Sequence, residues 1–272
     1  MSFSIERPFL LVGAGKMGGA MLSGWMAEGV DPSAITVCDP RPSEEMVTLL
    51  NRHGIRHVTS VPAELNAGIV LIAVKPQLMD QVLPGVKSAV ASDTLVLSVA
   101  AGTPVSKFQS VFGDVPICRC MPNTPAMVKR GITAVYPTEP VTGEQRDAVT
   151  KLLSAVGEVV WLDSEDQIDL VTGVSGSGPA YVFYMAEVLS EAGKAAGLPE
   201  DLAEKLAVAT ICGAGELMHQ TGEHPSKLRQ NVTSPNGTTA AALEVLMHDE
   251  GLQPVMTEAV ASAVKRAREL AE

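Results

Sequence analysis

Glycines near the start of the chain have the spacing of a phosphate-binding turn. Gly13, Gly15 and Gly18 follow the G-x-G-x-x-G pattern directly after the apolar run from Phe9 to Val12. The first glycine of this pattern allows a tight turn, the second lets the backbone approach a pyrophosphate, and the third lets a helix pack against the strand. From Lys16 onward, the free amides and the dipole of that helix favour bound phosphate. Because the turn lies between a predicted strand and a predicted helix, we interpret it as a dinucleotide site rather than a structural turn.

An acidic side chain follows the second predicted strand, Ile35 to Cys38. Asp39 lies about 20 residues beyond Gly18, where such turns are accompanied by an acid that accepts from the ribose 2′-OH. In an open α/β sheet, ligands bind outside the carboxyl ends of the strands. We therefore expect the ends of the predicted strands to line one edge, with residues 74–76, 98–102 and 121–125 beside the glycine turn and Asp39.

The later strand ends carry three kinds of candidate residue. Lys75 directly follows an apolar run and offers a cation for a ribose or a phosphate; a solvated loop lysine is the alternative. Ala100 and Ala101 are small residues over which a flat ring fits, and a plain tight turn is the alternative. Asn123 stands in a turn that two prolines keep rigid, and it is a candidate to face the nicotinamide.

A second polar stretch lies closer to the end of the chain. Residues 231–239 read Asn-Val-Thr-Ser-Pro-Asn-Gly-Thr-Thr, and Pro-Asn-Gly is a strong turn signal because Asn and Gly both tolerate positive φ. The turn delivers Thr238 and Thr239 to the start of a helix, where hydroxyls and free amides suit a small carboxylate. An elaborate N-cap is the alternative. The stretch from Ser175 to Pro179 is interpreted as a helix cap and turn.

Composition narrows the class of protein and the kind of site. Hydrophobic residues are 46% and charged residues 19% of the 272-residue chain, which fits a packed globular protein. The net charge of -11 and the aromatic content of 4% argue against nucleic acid and anionic membranes as partners. The cysteines and histidines match no metal spacing, so we predict no metal site. We expect neither a secretory leader nor a membrane span, and hence a cytoplasmic protein.

The elements that must position these residues change in type along the chain. Up to residue 164, apolar strand runs alternate with helical patterns, which predicts a doubly wound parallel sheet of Rossmann type. From Ile168 onward only helical spacing recurs. We therefore predict two domains, an α/β domain at 1–164 and an all-α domain at 165–272. The Ala- and Gly-rich helices of the second have wide apolar faces, which we interpret as a dimer interface rather than ordinary core.

Taken together, these segments resemble pyrroline-5-carboxylate reductase, the family that completes proline biosynthesis. The matching segments occur in the family's order over nearly the whole chain: GAGKMG at 13–18, AVKPQ at 73–77, SVAAG at 98–102, MPNTP at 121–125, TGVSGSGPAYVF at 172–183 and NVTSPNGTT at 231–239. The last two are much more specific than the glycine turn, and on them the chain is identified as a member of this family.

The resemblance implies reduction of (S)-1-pyrroline-5-carboxylate to L-proline by hydride from NADPH or NADH. It also implies an all-α dimerisation domain whose substrate loop closes against the partner's cofactor site, in a homodimer or a larger assembly of dimers. Substrate contacts carried over from the family are Glu165, Asn231, Ser234, Gly237, Thr238 and Thr239. Cofactor contacts carried over are Ala14, Gly15, Lys16, Met17, Gly18, Ser60, Ala73, Val74, Lys75, Pro76, Val99, Ala100 and Ala101, to which the residue patterns add Gly13, Asp39, Arg41 and Asn123.

Thr239 is the candidate for the chemical step. The substrate has a ring C=N bond, and protonation of its nitrogen makes the imine carbon a good hydride acceptor. A hydroxyl near that nitrogen orients it and relays a proton, while most of the catalysis comes from positioning the imine carbon against the nicotinamide in a water-poor cleft.

Cofactor choice stays open in the sequence. Many members of the family carry a small polar residue where Asp39 stands. An acid there accepts from a ribose 2′-OH and repels a 2′-phosphate, whereas Arg41 offers a partner for that phosphate. We therefore expect both cofactors to work.

Two other functions are kept as alternatives. A Rossmann-type hydroxyacid dehydrogenase would need a lysine general acid on an interior helix; Lys194 lies in a predicted helix, although its small neighbours suggest a side chain that reaches the surface. A non-catalytic NAD(P)-binding regulator would bind cofactor without turnover, and the intact turn at 231–239 argues against it. Feedback by proline and the range of cyclic imines accepted stay open.

Overall fold

The computed structural model describes residues 7–271 of the chain. Within that range a single sheet contains β1 (Phe9–Val12), β2 (Ile35–Cys38), β3 (Arg56–Val58), β4 (Ile69–Ile72), β5 (Leu95–Ser98), β6 (Ile117–Met121), β7 (Gly131–Pro137) and β8 (Gly157–Trp161). The α-helices that accompany the strands are α1 (Lys16–Ala27), α2 (Glu44–His53), α3 (Met79–Val86), α4 (Val105–Phe112) and α5 (Gly143–Ser154). They are followed by α6 (Gln167–Val171), α7 (Gly178–Ala195), α8 (Glu200–Thr221), α9 (Pro225–Asn231), α10 (Thr238–Leu246) and α11 (Leu252–Ala271).

The sheet has the strand order β3-β2-β1-β4-β5-β6-β7-β8. The first six strands in the chain are parallel and have the doubly wound order, in which the winding reverses between β1 and β4. The predicted Rossmann-type sheet, followed by an all-α region, is thereby confirmed. One pairing differs from the prediction, because β7 runs antiparallel to β6. The connection at 122–130 is shorter than the dozen or so residues that a parallel crossover needs.

Both faces of the sheet are covered, which explains the apolar runs of its central strands. On one face Trp25 of α1 is fully buried, meets the ring of Phe9 edge-on at 4.8 Å between centroids, and donates from Nε1 to the Leu152 carbonyl at 2.8 Å. Cys118 and Cys120 belong to the same core cluster, and burial raises the pKa of the Cys118 thiol to about 12. A strand buried on both faces needs continuous hydrophobic sequence, which is the pattern that predicted β1, β4 and β5.

Strand β3 and helix α9 were not predicted, and one polar segment was predicted only in part. Strand β3 is short and mostly exposed, and helix α9 is short and polar, so neither has an apolar pattern. The interpretation of Ser175 to Pro179 as a cap and turn is correct only in part: Ser177 is the N-cap residue of α7, which begins at Gly178, but the residues before it, Thr172–Gly176, form a π-helix. The Thr172 hydroxyl donates to the Ile168 carbonyl at 2.7 Å within this segment. A hydroxyl bonded to the carbonyl four residues before it finds its partner within the helix and tends to bend that helix.

The chain divides into two compact units. One unit consists of two segments, the residues up to Gly176 and those from Val264 onward, and the other unit is Ser177–Ala263. In the second unit α7 packs against α8, where Gly193 lies close to the buried Ala203. Many of its large apolar side chains are exposed, among them Phe183 at 62%. The domain boundary between residues 164 and 165 stays a prediction.

Candidate functional site

The glycine turn after β1 has space for additional atoms on one side only. Gly13 has a φ of +89°, and a Cβ there would lie 2.8 Å from Val74 Cγ1. A Cβ on Gly18 would collide with the carbonyl oxygen of Gly13, so α1 packs directly on the turn. At the exposed Gly15, by contrast, a Cβ would find no described atom within 4 Å. The turn is therefore closed toward the protein and open at Gly15.

The start of α1 offers unused backbone donors at this open side. Gly15 is the N-cap of the helix, and no described side chain caps it. The first amides of a helix need partners, and together with the helix dipole they favour an anion. Lys16 and Met17, the first two residues of α1, follow directly. A pyrophosphate group fits this arrangement of open glycine and free amides.

Asp39 connects the end of β2 to the glycine turn. Its Oδ2 accepts a hydrogen bond from the Ala14 amide at 2.8 Å, and its Oδ1 accepts from the Arg41 amide at 2.9 Å. The carboxylate thus fixes the backbone of the turn, and each of its oxygens retains a second lone pair. A ribose hydroxyl is a partner that such a carboxylate can still accept from.

A cavity of about 690 Å³ extends from this carboxylate along α1 and α2. Its charged lining includes Asp39, Lys16, Arg41 and Lys129. Ser43 also lines it, and its hydroxyl caps α2 by accepting from the Met46 amide at 3.2 Å. Glu45 is a second acid in this lining, so the cavity joins the phosphate turn to two acids and three cations. The cations suit the anionic backbone of a dinucleotide.

The neighbouring strand ends are joined to one another by backbone hydrogen bonds. The Ala73 amide donates to the Val12 carbonyl at 2.8 Å, and the Val99 amide donates to the Ile72 carbonyl at 3.1 Å. The predicted contacts at this edge differ in exposure: Ala100 is buried, Ala73, Val74 and Val99 are half-buried, and Ser60, Lys75, Pro76 and Ala101 are exposed. The structure thus brings together at one sheet edge the candidates that follow β1, β2, β4 and β5.

Asn123 follows β6, and its side chain is engaged within the protein. Its Oδ1 accepts from the Ile132 amide at 2.9 Å and so holds the beginning of β7. This bond uses the side-chain oxygen, so the side-chain NH₂ group of Asn123 can still donate to a ligand.

Glu165 is joined to a residue that sequence reasoning missed. Its Oε1 accepts from Arg119 Nη1 at 2.7 Å and from the Val105 amide at 2.8 Å. Arg119 stands in the middle of β6 and is 4% exposed. A charged residue inside a strand that otherwise reads Ile-Cys-x-Cys-Met was the signal that could have found it, because an Arg is rarely buried without a partner.

The other predicted substrate residues lie in the unit Ser177–Ala263. The Gly237 amide donates to the Ser234 carbonyl at 3.0 Å, and Asn236 has a φ of +60°, so the predicted turn is present. Thr238 begins α10, and no described side chain caps that helix. Thr239 is half-buried in its first turn, and Asn231 ends α9. Hydroxyls and free amides thus meet at the start of α10.

At residues 7–271 no group of three or more His, Cys, Asp or Glu side chains is placed to hold a metal ion. None of the helices described is long and apolar enough to cross a membrane.

The phosphate turn, the strand order and the helical region define a class, that of Rossmann-type dinucleotide-binding proteins with an added all-α part. A family model described as "Pyrroline-5-carboxylate reductase dimerisation" matches residues 165–270. A second, described as "NADP oxidoreductase coenzyme F420-dependent", matches residues 9–102.

Individual relatives match over nearly their full length. The pyrroline-5-carboxylate reductase of Pseudomonas aeruginosa is 38% identical, over 96% of this chain and 96% of that protein, and the Synechocystis protein of the same name is 40% identical, over 96% and 97%. A structure of a pyrroline-5-carboxylate reductase from Coxiella burnetii has a TM-score of 0.91 at 34% identity, covering 98% of this chain and 100% of the other. The Plasmodium falciparum pyrroline carboxylate reductase with NADP bound has a TM-score of 0.80 at 25% identity, over 98% and 99%. The chain belongs to the pyrroline-5-carboxylate reductase family, whose members are pyridine-nucleotide-dependent oxidoreductases.

The two alternative functions are not favoured. Lys194 Nζ lies 2.6 Å from Glu191 Oε1 and 3.5 Å from Glu200 Oε1. The hydrogen bond to Glu191 raises the pKa of Lys194, which makes the ammonium a weaker proton donor. A hydroxyacid dehydrogenase would need the opposite. A regulator without turnover is disfavoured because the full-length relatives are named as reductases.

Proposed function

We propose that this chain reduces (S)-1-pyrroline-5-carboxylate to L-proline with NADPH or NADH, as the last step of proline biosynthesis. The observation that carries this proposal is the match to named reductases at 38% and 40% identity over 96% of the chain. The open glycine turn and the uncapped start of α1 support it, since they suit the cofactor that such a reduction needs.

The cofactor would be held along the sheet edge. Backbone amides from Gly13 to Gly18 face its pyrophosphate, with Asp39 and Arg41 at the ribose. The remaining proposed contacts are Ser60, Ala73, Val74, Lys75, Pro76, Val99, Ala100, Ala101 and Asn123. When bound, the cofactor supplies the hydride.

The substrate carboxylate would be held at the start of α10. Ser234, Gly237, Thr238 and Thr239 contribute hydroxyls and backbone amides there, and the helix dipole favours the negative charge. The Thr239 hydroxyl holds a proton at the imine nitrogen, which makes the imine carbon more electrophilic. Further proposed substrate contacts are Asn231 and Glu165.

A homodimer in the cytoplasm is part of the proposal. The apolar faces of α7 and α8 are too exposed for a unit that stands alone, and a match to a dimerisation family over 165–270 supports self-association. In the dimer, the turn before α10 would close on the cofactor site of the partner subunit.

The test is an absorbance assay that follows oxidation of the reduced nicotinamide. Purified protein is given pyrroline-5-carboxylate with NADPH or with NADH, and we expect oxidation that depends on the imine. Small hydroxyacids with NAD⁺ or NADP⁺ serve as the control for the dehydrogenase alternative. A folded protein that binds cofactor but oxidises neither reduced form would contradict the proposal.

A further inference from the structure

A buried cation lies behind the proposed cofactor edge. Arg119 is 4% exposed and pairs in the sheet with Ser98, the last residue of β5. The turn that holds the proposed cofactor contacts Val99 to Ala101 begins directly after Ser98. A buried guanidinium is costly unless its charge and its donors are matched. The residues that bind Arg119 therefore indicate why a charged side chain is buried at this position.

The partners come from the segment that follows β8. Arg119 Nη1 lies 2.7 Å from Glu165 Oε1, and Nη2 lies 3.9 Å from Asp169 Oδ1. The Nε of Arg119 has no hydrogen-bond partner among the described residues. One short ion pair, to Glu165, thus carries most of the pairing. If residue 119 served packing alone, burying an apolar side chain there would cost less free energy than burying an arginine.

The same carboxylate oxygen holds the beginning of a helix. Glu165 Oε1 accepts from the Val105 amide at 2.8 Å, and Val105 is the first residue of α4. The residue before it is Pro104, which has no side-chain donor or acceptor to cap the helix. Glu165 supplies the acceptor instead, and its negative charge is favoured at this end of the helix.

The turn at 99–104 is therefore fixed from both ends. On the strand side, the Val99 amide donates to the Ile72 carbonyl and the Ala100 amide donates to Ser98 Oγ at 3.3 Å. On the helix side, the Glu165 carboxylate holds Val105, and Arg119 holds the carboxylate. Between these ends Gly102 has a φ of +68°, which glycine adopts without steric cost, and it lies close to α11, since a Cβ there would be 3.1 Å from the Leu270 carbonyl oxygen.

We propose that Arg119 is a positioning residue for the nicotinamide cofactor, which acts by clamping Glu165 on the first amide of α4 and so fixing the turn at 99–104. The inference rests on the proposed function, because Val99, Ala100 and Ala101 are proposed cofactor contacts. It gives Glu165 a role on the cofactor side of the reaction, in addition to the substrate contact that the family resemblance implies.

The experiment compares R119M, E165A and the double variant with a control on the same helix. Lys107→Met removes an ion pair that α4 makes with Asp80 on the surface, and it should behave like wild type. We expect R119M and E165A each to raise the dissociation constant and the KM for NADPH by roughly tenfold or more. In R119M the KM for the imine should change less than about twofold, whereas in E165A it should rise as well, because that variant also removes a proposed substrate contact. Because both residues act in one chain of contacts, the double variant should be no worse than the worse single one.

A second readout needs no turnover. Hydrogen exchange of the cofactor-free protein should be faster in R119M than in wild type over residues 99–112, and unchanged in K107M. R119K and E165Q should fall between wild type and the larger changes, because each keeps one donor or one acceptor; they keep the test valid if R119M does not fold. Hydrogen exchange and the NADPH titration can both be measured even if the protein does not reduce the imine. Failure of the proposed function would instead appear in the absorbance assay with pyrroline-5-carboxylate.

Three results would overturn the inference. A rise in the KM for the imine with unchanged NADPH binding would mean that Glu165 acts on the substrate alone. Additive losses in the double variant would mean that Arg119 does not act through Glu165. Lower stability with normal NADPH binding and normal exchange at 99–112 would mean a role in packing only.

Discussion

Thr239 is the side chain on which the proposed proton relay depends. It is the second residue of α10 and is half-buried. We expect Thr239→Val, which keeps the shape and removes the hydroxyl, to lower kcat by about 10²-fold and to leave the dissociation constant for NADPH unchanged. Steady-state kinetics and a cofactor titration check this. Thr257→Val makes the same change on the exposed face of α11 and should be neutral. Near-normal turnover of the first variant would remove Thr239 from the mechanism.

Asp39 decides between the two cofactors if its carboxylate reaches the ribose. We expect Asp39→Ser to shift the ratio of kcat/KM for NADPH over NADH upward by about tenfold, because repulsion of a 2′-phosphate is lost. The Ala14 amide also loses an acceptor, so binding of both cofactors should weaken. Asp39→Asn keeps an acceptor oxygen and separates the two effects.

The control for the charge change is Asp114→Asn, at an exposed acid outside the lining of the cofactor cavity. It should leave the ratio as it is in wild type. An unchanged ratio in both Asp39 variants would show that this carboxylate serves the turn and not the ribose.

Single residues differ in how far the sequence could reveal them. Gly13, Gly18 and Asp39 were predictable because each serves a local backbone geometry whose spacing is visible in the chain. Arg119 was not, because its partner Glu165 is distant in sequence and becomes its neighbour only when the segment after β8 packs on β6. Spacing shows local requirements, whereas a long-range ion pair requires the fold.

In the strand–turn–helix element from β1 to α1, one substitution should weaken cofactor binding without lowering the stability of the fold. At Gly15, φ is negative and a Cβ meets nothing described, so Gly15→Ala should leave the thermal midpoint nearly unchanged. It should nevertheless weaken NADPH binding by tenfold or more, roughly 1.4 kcal/mol, because the methyl group stands where the pyrophosphate approaches.

Gly18→Ala is the matched change on the closed side of the same turn. A Cβ there collides with the Gly13 carbonyl, so this variant should lower the thermal midpoint, in line with the 1–3 kcal/mol or so of an overpacked site. Calorimetry and a cofactor titration test both variants. Loss of stability in the Gly15 variant, or normal NADPH binding by it, would contradict the proposed pyrophosphate site.

Elements with a strong apolar period were predictable, and elements held by their neighbours were not. Buried strands such as β4 and β5 follow from their runs of Ile, Val and Leu. The three-residue β3 forms because its backbone pairs with β2 at the edge of an existing sheet. The π-helix at Thr172–Gly176 likewise depends on close packing, since a Cβ on Gly176 would lie 2.6 Å from Met121 Cε. No period in the sequence encodes such contacts.

At the scale of the whole molecule, the two units differ in how they bury apolar surface. The unit that contains the sheet has large side chains buried on both faces, including Trp25 and Phe108. In the unit Ser177–Ala263, the described helix α7 has no buried residue, and α8 buries only Ala203 and Ala207 among those described. Since exposed apolar surface of this extent marks an interaction site, stability of the second unit should depend on a second copy of the chain.

The proposed dimer therefore depends on side chains such as Phe183, which is 62% exposed on α7. We expect Phe183→Asp to place a charge in the apolar contact and to raise the dissociation constant of the dimer by at least tenfold, as measured by sedimentation over a range of protein concentrations. The thermal midpoint should fall as well, and in wild type it should rise with concentration, because association stabilises the folded state by mass action. Val47→Asp makes the same kind of change at a partly exposed valine on α2, in the other unit, and should leave the assembly unchanged. A wild-type chain that sediments as a monomer at micromolar concentration, or a Phe183 variant that dimerises as tightly as wild type, would show that this face of α7 is not the interface.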